Sequence, residues 1–437
     1  MKIPSVKDPA KFRELMDEAK KQVYKDGYHM GVMKDVCGEF SGMRVEEAKD
    51  KIQQAMLASK EAEIFRDLTE EVVCRCGQRV HIKRIDDQWF INYADRQLTD
   101  STKEHCRDMT IFPAQYYENV QGVLDWYRER ACVRLGNWLG TRFPFDNKWI
   151  IEAISDSTLY PLFYTISLYS NTKQITPEQM TPEFFDYVVL EKGEPSAVAG
   201  STGIDQELLE KIRKDVHYWY PLDINLGGKE HMTVHFPVFL MNHRAILPDD
   251  MQPKGIIVNW YVTGKNKDKI SKSKGGAQPI PGAVAKFGAD SMRLYYAHVA
   301  SMFVDVEWDE DLVFTYKQKL ENIMSSVEDL INAEADVPSG DIDAWLLFNT
   351  HVSEIRAAMD RYDLRQMATV VYYDMSNDMR WYARRGGKNR DTVMQALRIW
   401  INAMMPITPH VAEELWSEAG FEGLVSEAQF PEADDSK

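Results

Sequence analysis

Gly255-Ile256-Ile257-Val258-Asn259-Trp260-Tyr261-Val262-Thr263-Gly264 runs straight into Lys265-Asn266-Lys267-Asp268-Lys269-Ile270-Ser271-Lys272-Ser273-Lys274-Gly275-Gly276. The first of these stretches holds a short β-branched, apolar run, Ile256–Val262, between two glycines, which is the clearest strand candidate in the chain. The second is a polar loop rich in lysine, serine and glycine. A helical pattern follows from Ala283 through Tyr296. Strand, loop and helix in that order predict an α/β layer whose loop lies at the carboxyl end of a strand, where such folds bind ligands. The lysines are compact charges on flexible stems, and the glycines let the backbone close on a ligand. The loop therefore reads either as a solvated basic segment or as a clamp for charge on a transferring phosphate. The G-x-x-x-x-G-K-[ST] spacing of a Walker loop is absent from it.

Outward from this centre the chain divides by pattern. Phe12, Leu15, Met16, Ala19 and Val23 make one apolar stripe on a charged helix. Turns at Gly27, Gly31, Gly38 and Gly42 separate it from a second charged helix over Val45–Met56. From Val72 to Trp89 the pattern is strand-like, with a turn at Cys76-Gly77, and strands and helices then alternate from Met109 to Asp309. Beyond Asp311 the chain is almost wholly helical. Leu320, Ile323, Met324, Val327, Leu330 and Ile331 form one stripe there, and Leu364, Met367, Ala368, Val371 and Met375 another. Asp336–Asp341 is the loop between those helices. Three domains follow from this: a helical segment over 1–68, an α/β segment over 69–310 and a helical one over 311–437.

A chain of 437 residues, 44% apolar and 27% charged, excludes a disordered or collagenous protein and a small disulfide scaffold. The net charge of −16 argues against a generic nucleic-acid coat and leaves room for a selective binder with one local basic patch. The densest such patch is Arg380, Arg384, Arg385, Lys388 and Arg390, interleaved with Trp381 and Tyr382. It suits RNA backbone and exposed bases, or else is a solvated helix end. Five cysteines (Cys37, Cys74, Cys76, Cys106, Cys132) read as reduced thiols, Cys74 and Cys76 being expected buried in a turn without zinc. No apolar run has the length of a signal core or of a membrane helix, so the expectation is a cytoplasmic protein with no membrane contact. His231 and His235 stand four apart but lack the glutamate of H-E-x-x-H, and no metal is expected. Asp156, between Ser155 and Ser157, reads as a helix N-cap.

Lys269-Ile270-Ser271-Lys272-Ser273 resembles the KMSKS signature of class I aminoacyl-tRNA synthetases. Upstream, Gly228-Lys229-Glu230 followed by His235 resembles that family's G-x-D-x-x-x-x-H segment, and Gly288-Ala289-Asp290 with Arg293 and Tyr295 resembles its GAD-x-x-R-x-Y helix. Further stretches resemble the leucyl branch of archaeal and eukaryotic type. They are Val72–Gly77, Asp87–Phe90, Trp149–Tyr160, Asn242-His243 with Pro248, Asp378–Arg385 and Pro406–Trp416.

The resemblance implies the second half of a Rossmann-like catalytic domain followed by a helical anticodon-binding bundle, with 1–68 a helical remnant beside the editing insertion. It implies that Lys272 and Lys269 stabilise charge on ATP phosphates. Gly228, Glu230, His235, Ser271 and Ser273 would hold ATP, with Mg2+ accompanying it, and Asp156 would lie near the amino-acid pocket. Arg380, Trp381, Arg384, Arg385 and Lys388 would meet tRNA(Leu). The family's H-x-G-H pair is absent from the ten histidines. The expectation is therefore a leucine–tRNA ligase part that needs an N-terminal subunit carrying that half; the alternative is a catalytically incomplete paralogue that binds tRNA or regulates. Departures are Glu230 for Asp, Ile270 for Met and Gly276 for Asn.

Overall fold

A computed structural model describes residues 9–74, 77–136, 139–264, 270, 280–333 and 336–432, with side chains from Leu15 onward. Contacts group the chain into two units, Met1–Asp86 and Asp87–Lys437. In the first, the helix Pro9–Tyr24 passes through a π-turn at Lys25–His29, and a second helix spans Val45–Ala58. Gly31 is required between them, because a Cβ there would lie 2.2 Å from the Gly27 carbonyl oxygen. The expected stripe is helical but Leu15, Met16 and Val23 are exposed. The strand expectation over Val72–Trp89 is corrected. Only a bridge between Val73 and Arg79 forms, closed by Val80 N–H donating to Val72 O. Val72, Val73, Val80 and Ile82 stay exposed, and among the described residues no further strand pairs with them to bury a face. Cys74 is exposed too, contrary to the buried thiol expected; Cys76 lies outside the described residues.

The second unit is built on a parallel three-stranded sheet in which Gly255–Asn259 lies between Thr110–Phe112 and Asn225–Gly228. Ile256, Ile257 and Val258 are buried, as an apolar run covered on both faces must be. The helix His235–Ile246 is the crossover between Asn225–Gly228 and the central strand, and every residue from Phe236 to His243 is buried. It is apolar nearly all round because helices Arg96–Asp108 and Gln115–Trp126 also pack on it. Helices Tyr160–Asn171, Pro182–Val188, Pro195–Thr202 and Gln206–Trp219 share a separate core around Ile166, Tyr187, Leu209 and Ile212.

Two expectations around the quoted stretch are corrected. The strand stops at Asn259, since Trp260 N–H turns to Met302 O and Tyr261 N–H to the Asp305 carboxylate. Val262–Thr263 then forms its own parallel pair with Val306–Glu307. The single helix expected over Ala283–Tyr296 is two, Ile280–Phe287 and Ala289–Val299, broken at Gly288, whose φ is 83°. Both pack into the core of the helical bundle that follows. That bundle comprises Glu310–Ile331, Asp341–Phe348, Val352–Asp360, Leu364–Thr369, Met375–Arg384, Arg390–Met404 and Pro409–Glu418. Leu320, Ile323, Val327, Met367, Ala368, Val371 and Met375 of the expected stripes are buried in it, whereas Leu364 is exposed. No helix among the described residues is long and apolar enough to cross a membrane.

Residues of two widely separated motifs close this unit. Buried Asp290 accepts from Val411 N–H at 2.7 Å and lies 2.8 Å from His410 Nδ1, placing a carboxylate at the start of the helix Pro409–Glu418. One turn on, Arg293 donates to Ile407 O at 2.8 Å and to Pro406 O at 2.9 Å. Asp290→Ala leaves the Val411 N–H without its acceptor and should lower the unfolding free energy by about 1–3 kcal/mol, with Asp290→Asn less affected. Urea unfolding followed by intrinsic tryptophan fluorescence checks this; unchanged midpoints in both variants refute it.

Candidate functional site

At the carboxyl end of the sheet, Gly227-Gly228 closes one edge strand, Lys229–His231 forms a 3-10 turn, and His235 opens the crossover helix. Glycine at 227 is dictated by packing: a Cβ would come within 2.8 Å of Phe236 Cζ and 3.2 Å of His231 Nδ1, both on rigid rings. At 228 the close neighbour is the Glu230 carboxylate, which folds back under the strand end. Gly228, Glu230 and His235, named from the sequence, are thus brought to one strand-to-helix turn, the geometry at which nucleotide groups sit against open backbone.

His231 and His235 meet edge to face with ring centroids 5.4 Å apart, and burial together with His231 holds His235 below the ordinary imidazole range. Lys229 Nζ lies 5.6 Å from the Trp260 ring and 5.8 Å from that of Tyr261, so a cation stands at the end of the central strand. Lys269, Ser271, Lys272 and Ser273 lie outside the described residues. Among the described residues no group of three His, Cys, Asp or Glu side chains is placed to hold a metal.

What fixes this turn was not evident from motif reading. The Tyr116 hydroxyl donates to Met232 O at 2.8 Å, and the Tyr127 hydroxyl reaches Thr233 O and Val234 O at 3.1 and 2.9 Å. Two tyrosines from the neighbouring helix and its end therefore hold the segment that delivers His235. Their only signal in the sequence is aromatic residues in an apolar helix, which reads as core.

Behind the turn, a buried polar network joins two of the resemblance stretches, Trp149–Tyr160 and Asn242-His243, to Tyr93 and Tyr220. The Tyr93 hydroxyl donates to Asn242 Oδ1 at 2.9 Å, and Asn242 Nδ2 donates to Thr158 Oγ1 at 2.8 Å. His243 Nδ1–H donates to Phe239 O at 2.8 Å, which leaves Nε2 to accept from the Tyr220 hydroxyl at 2.9 Å. Burial pushes the Tyr93 hydroxyl up to about 12 and drives His243 down to about 4.

Asp156 is corrected as an N-cap. It lies inside the short helix Ala153–Ser157 and accepts from Thr141 Oγ1 at 3.2 Å. The cap is Glu152, whose carboxylate accepts from Ile154 and Ser155 N–H while pairing with Arg134 at 2.8 Å. Glu152 is extended and Asp156 helical, so only the former can reach the free amides of the first turn.

In the bundle, Trp381 packs on Trp345 with centroids 3.9 Å apart and carries Arg385 over its ring at 4.7 Å. Arg384, Arg385 and Lys388 are exposed, and Arg380 bonds Ser376 O and Asn377 Oδ1. Arg390 leaves the patch: its guanidinium donates to Ile331 O and Ala333 O, capping the end of the helix Glu310–Ile331.

These features define the class. The fold is that of the class I aminoacyl-tRNA synthetases, with a Rossmann-like catalytic half followed by a helical bundle. A methionyl-tRNA synthetase of Mycobacterium tuberculosis in complex with methionyl-adenylate matches 77% of this chain and 63% of its own at a TM-score of 0.53 and 15% identity. Residues 343–437 match the model for the anticodon-binding domain of tRNA ligase. By sequence the chain is similar to leucine–tRNA ligases. It is 37% identical over 431 residues to that of Archaeoglobus fulgidus, covering 98% of this chain and 45% of the relative. It is 38% identical over 426 residues to that of Methanocaldococcus jannaschii, covering 96% and 45%. The chain thus spans less than half the length of the curated relatives it matches.

His243 gives the network a pH signature. Its folded pKa, about 4, lies below the ordinary 6.5. Below pH ~6.5 the unfolded chain takes up a proton that the folded chain refuses, so stability falls as pH drops, by about 3 kcal/mol near pH 4. Above that range the residue adds no pH dependence. Urea midpoints from pH 7 to 4.5 should therefore fall more steeply in the natural chain than in His243→Gln; parallel profiles contradict this.

Proposed function

We propose that this chain is the second part of a leucine–tRNA ligase. With a polypeptide carrying the H-x-G-H half, it activates leucine with ATP and transfers it to tRNA(Leu). The observation that carries this reading is the Gly227-Gly228–Glu230–His235 turn at the carboxyl end of a parallel sheet, in a chain related along nearly its whole length to leucine–tRNA ligases. The strand Asn225–Gly228 lies at the edge of that sheet among the described strands, which leaves a ladder side for strands from another part of the catalytic domain.

In the assembled site, Gly228 lets adenosine approach the backbone, Glu230 reaches the ribose hydroxyls, and His235 packs against the nucleoside as a neutral ring. Lys272 and Lys269, with Ser271 and Ser273, neutralise charge on the phosphates and their magnesium as leucine attacks the α-phosphate and pyrophosphate leaves. Asp156 belongs to the wall of the amino-acid pocket. Arg380, Trp381, Arg384, Arg385 and Lys388 contact the tRNA, with Trp381 held in place by Trp345 and carrying Arg385 over its ring.

The test is leucine-dependent exchange of pyrophosphate into ATP. The full chain is co-expressed with a polypeptide comprising the first half of its relatives. The pair should co-purify and support exchange, and Lys272→Ala should cut the rate by roughly 10²-fold or more. Should the pair co-purify, bind tRNA and never support exchange, the chain is instead a tRNA-binding or regulatory paralogue.

A further inference from the structure

A cavity of about 510 Å3 opens between the helices Arg390–Met404 and Pro409–Glu418 and the segment 422–431 that follows them. It lies apart from the strand-end turn and is lined by none of the residues proposed above for tRNA contact. Its size falls within the roughly 300–1,000 Å3 of small-molecule sites. The walls are fixed by bonds that need no ligand. Trp416 Nε1–H donates to Glu422 O at 3.2 Å, and Asn402 Nδ2 donates to Gln429 O at 3.4 Å. The Glu413 carboxylate accepts from Val425 N–H at 2.9 Å and from Ser426 N–H at 3.1 Å, and Arg356 Nε donates to Pro431 O at 2.8 Å. A cavity shaped in advance in this way costs little ordering when a ligand enters it.

Three charged side chains share this space. Arg398 lies over two rings, its guanidinium carbon 5.3 Å from the Trp416 centroid and 5.5 Å from that of Phe421. Glu422 and Glu427 line the same cavity, and all three residues are exposed. Among the described residues, ion pairs in and beside the bundle form at Lys286–Glu310, Lys317–Glu321, His351 with Glu354 and Asp378, and His410–Asp290. None of them includes Arg398, Glu422 or Glu427, so opposite charges face one cavity beyond ion-pair reach of each other. Attraction to the two rings holds the guanidinium without consuming its N–H donors, and that planar fork matches a carboxylate. The two glutamates accept from an ammonium and repel a phosphate. Ile399, Leu424 and Ala428 add an apolar wall. A ligand that meets all of these features carries a carboxylate, an ammonium and an apolar body on one small frame.

We propose that this cavity binds a free amino acid with an apolar side chain. Its α-carboxylate pairs with Arg398, its α-ammonium with Glu422 and Glu427, and its side chain packs against Ile399, Leu424 and Ala428. Bound there, the amino acid ties the segment 422–431 to the helix Arg390–Met404 and stabilises this end of the bundle. The site does not rest on the ligase reading.

The full chain is titrated by calorimetry with L-isoleucine, an amino acid that the proposed reaction does not use, and its melting temperature is followed over the same concentrations. Binding should saturate and should raise the melting temperature. Isoleucinamide, which lacks the carboxylate, and N-acetylisoleucine, which lacks the ammonium, should each bind roughly tenfold more weakly or worse. Arg398→Met, which keeps the apolar stem on the rings, should weaken isoleucine binding by a similar factor, as should Glu422→Gln combined with Glu427→Gln. Arg361→Gln, which removes an exposed arginine outside the cavity, should bind as the natural chain does. The double glutamine variant changes two exposed side chains and should melt with the natural chain in the absence of ligand, so lost binding there is not lost folding. Failure of isoleucine to bind saturably, or equal binding of the two blocked forms, overturns the site. Binding that survives the substitutions of Arg398 and of both glutamates puts the ligand elsewhere and overturns it too. Neither result touches the ligase reading, which pyrophosphate exchange decides.

Discussion

The hydrogen-bonded ladder along Gly255–Asn259 is the constraint on which the second unit depends. This strand is paired on both edges and buried on both faces, so its amides and carbonyls have no access to water and must be met by Thr110–Phe112 on one side and Asn225–Gly228 on the other. That pairing fixes where Gly227-Gly228 ends, and the ending fixes where His235 begins its helix. Glycine at 255 belongs to the same constraint, since a Cβ there would lie 2.8 Å from Ile224 Cδ1 and 3.0 Å from two carbonyl oxygens. The strand-to-helix turn is thus a consequence of close strand packing, held further by the Tyr116 and Tyr127 hydroxyls.

A second set of interactions closes the bundle. Asp290 and Arg293 stand one turn apart on a single helix and engage the segment Pro406–Val411, more than a hundred residues away. Each satisfies backbone groups that a helix end or loop would otherwise leave bare. Their place in a recurrent motif therefore has a structural basis: they join the segment after the lysine loop to the last helices. The Tyr93–Asn242–Thr158 and His243–Tyr220 contacts do the same for the crossover helix. A buried amide or imidazole is costly unless fully bonded, so such contacts specify one packing among the many that apolar residues alone allow.

Charge is distributed by function rather than evenly. Arg390, Arg134 and Arg293 are bound to backbone carbonyls or carboxylates and serve the fold. Arg384, Arg385 and Lys388 project from one helix end and its following turn, and Lys319 lies over the Tyr373 ring. Sequence counts all of these alike. Only the partner of each side chain separates a structural cation from one available to a ligand.

The sequence by itself determined the kind of each layer. The Ile256–Val262 run read as a strand, the stripes at Leu320–Ile331 and Leu364–Met375 as helices with an apolar face, and the lysine loop with its neighbouring motifs pointed to the class. These follow from periodicity and composition, which act over a few residues. Tertiary structure decided where elements break and which polar residue does what. The strand stops at Asn259 because Met302 and Asp305 offer other partners, and the helix after the loop divides at Gly288 because the left-handed backbone there redirects the chain. Glu152 rather than Asp156 caps its helix because of its extended backbone, and among the described residues of Val72–Ile82 only the Val73–Arg79 bridge forms. Each of these outcomes depends on a partner far along the chain or on its absence, which no local pattern encodes.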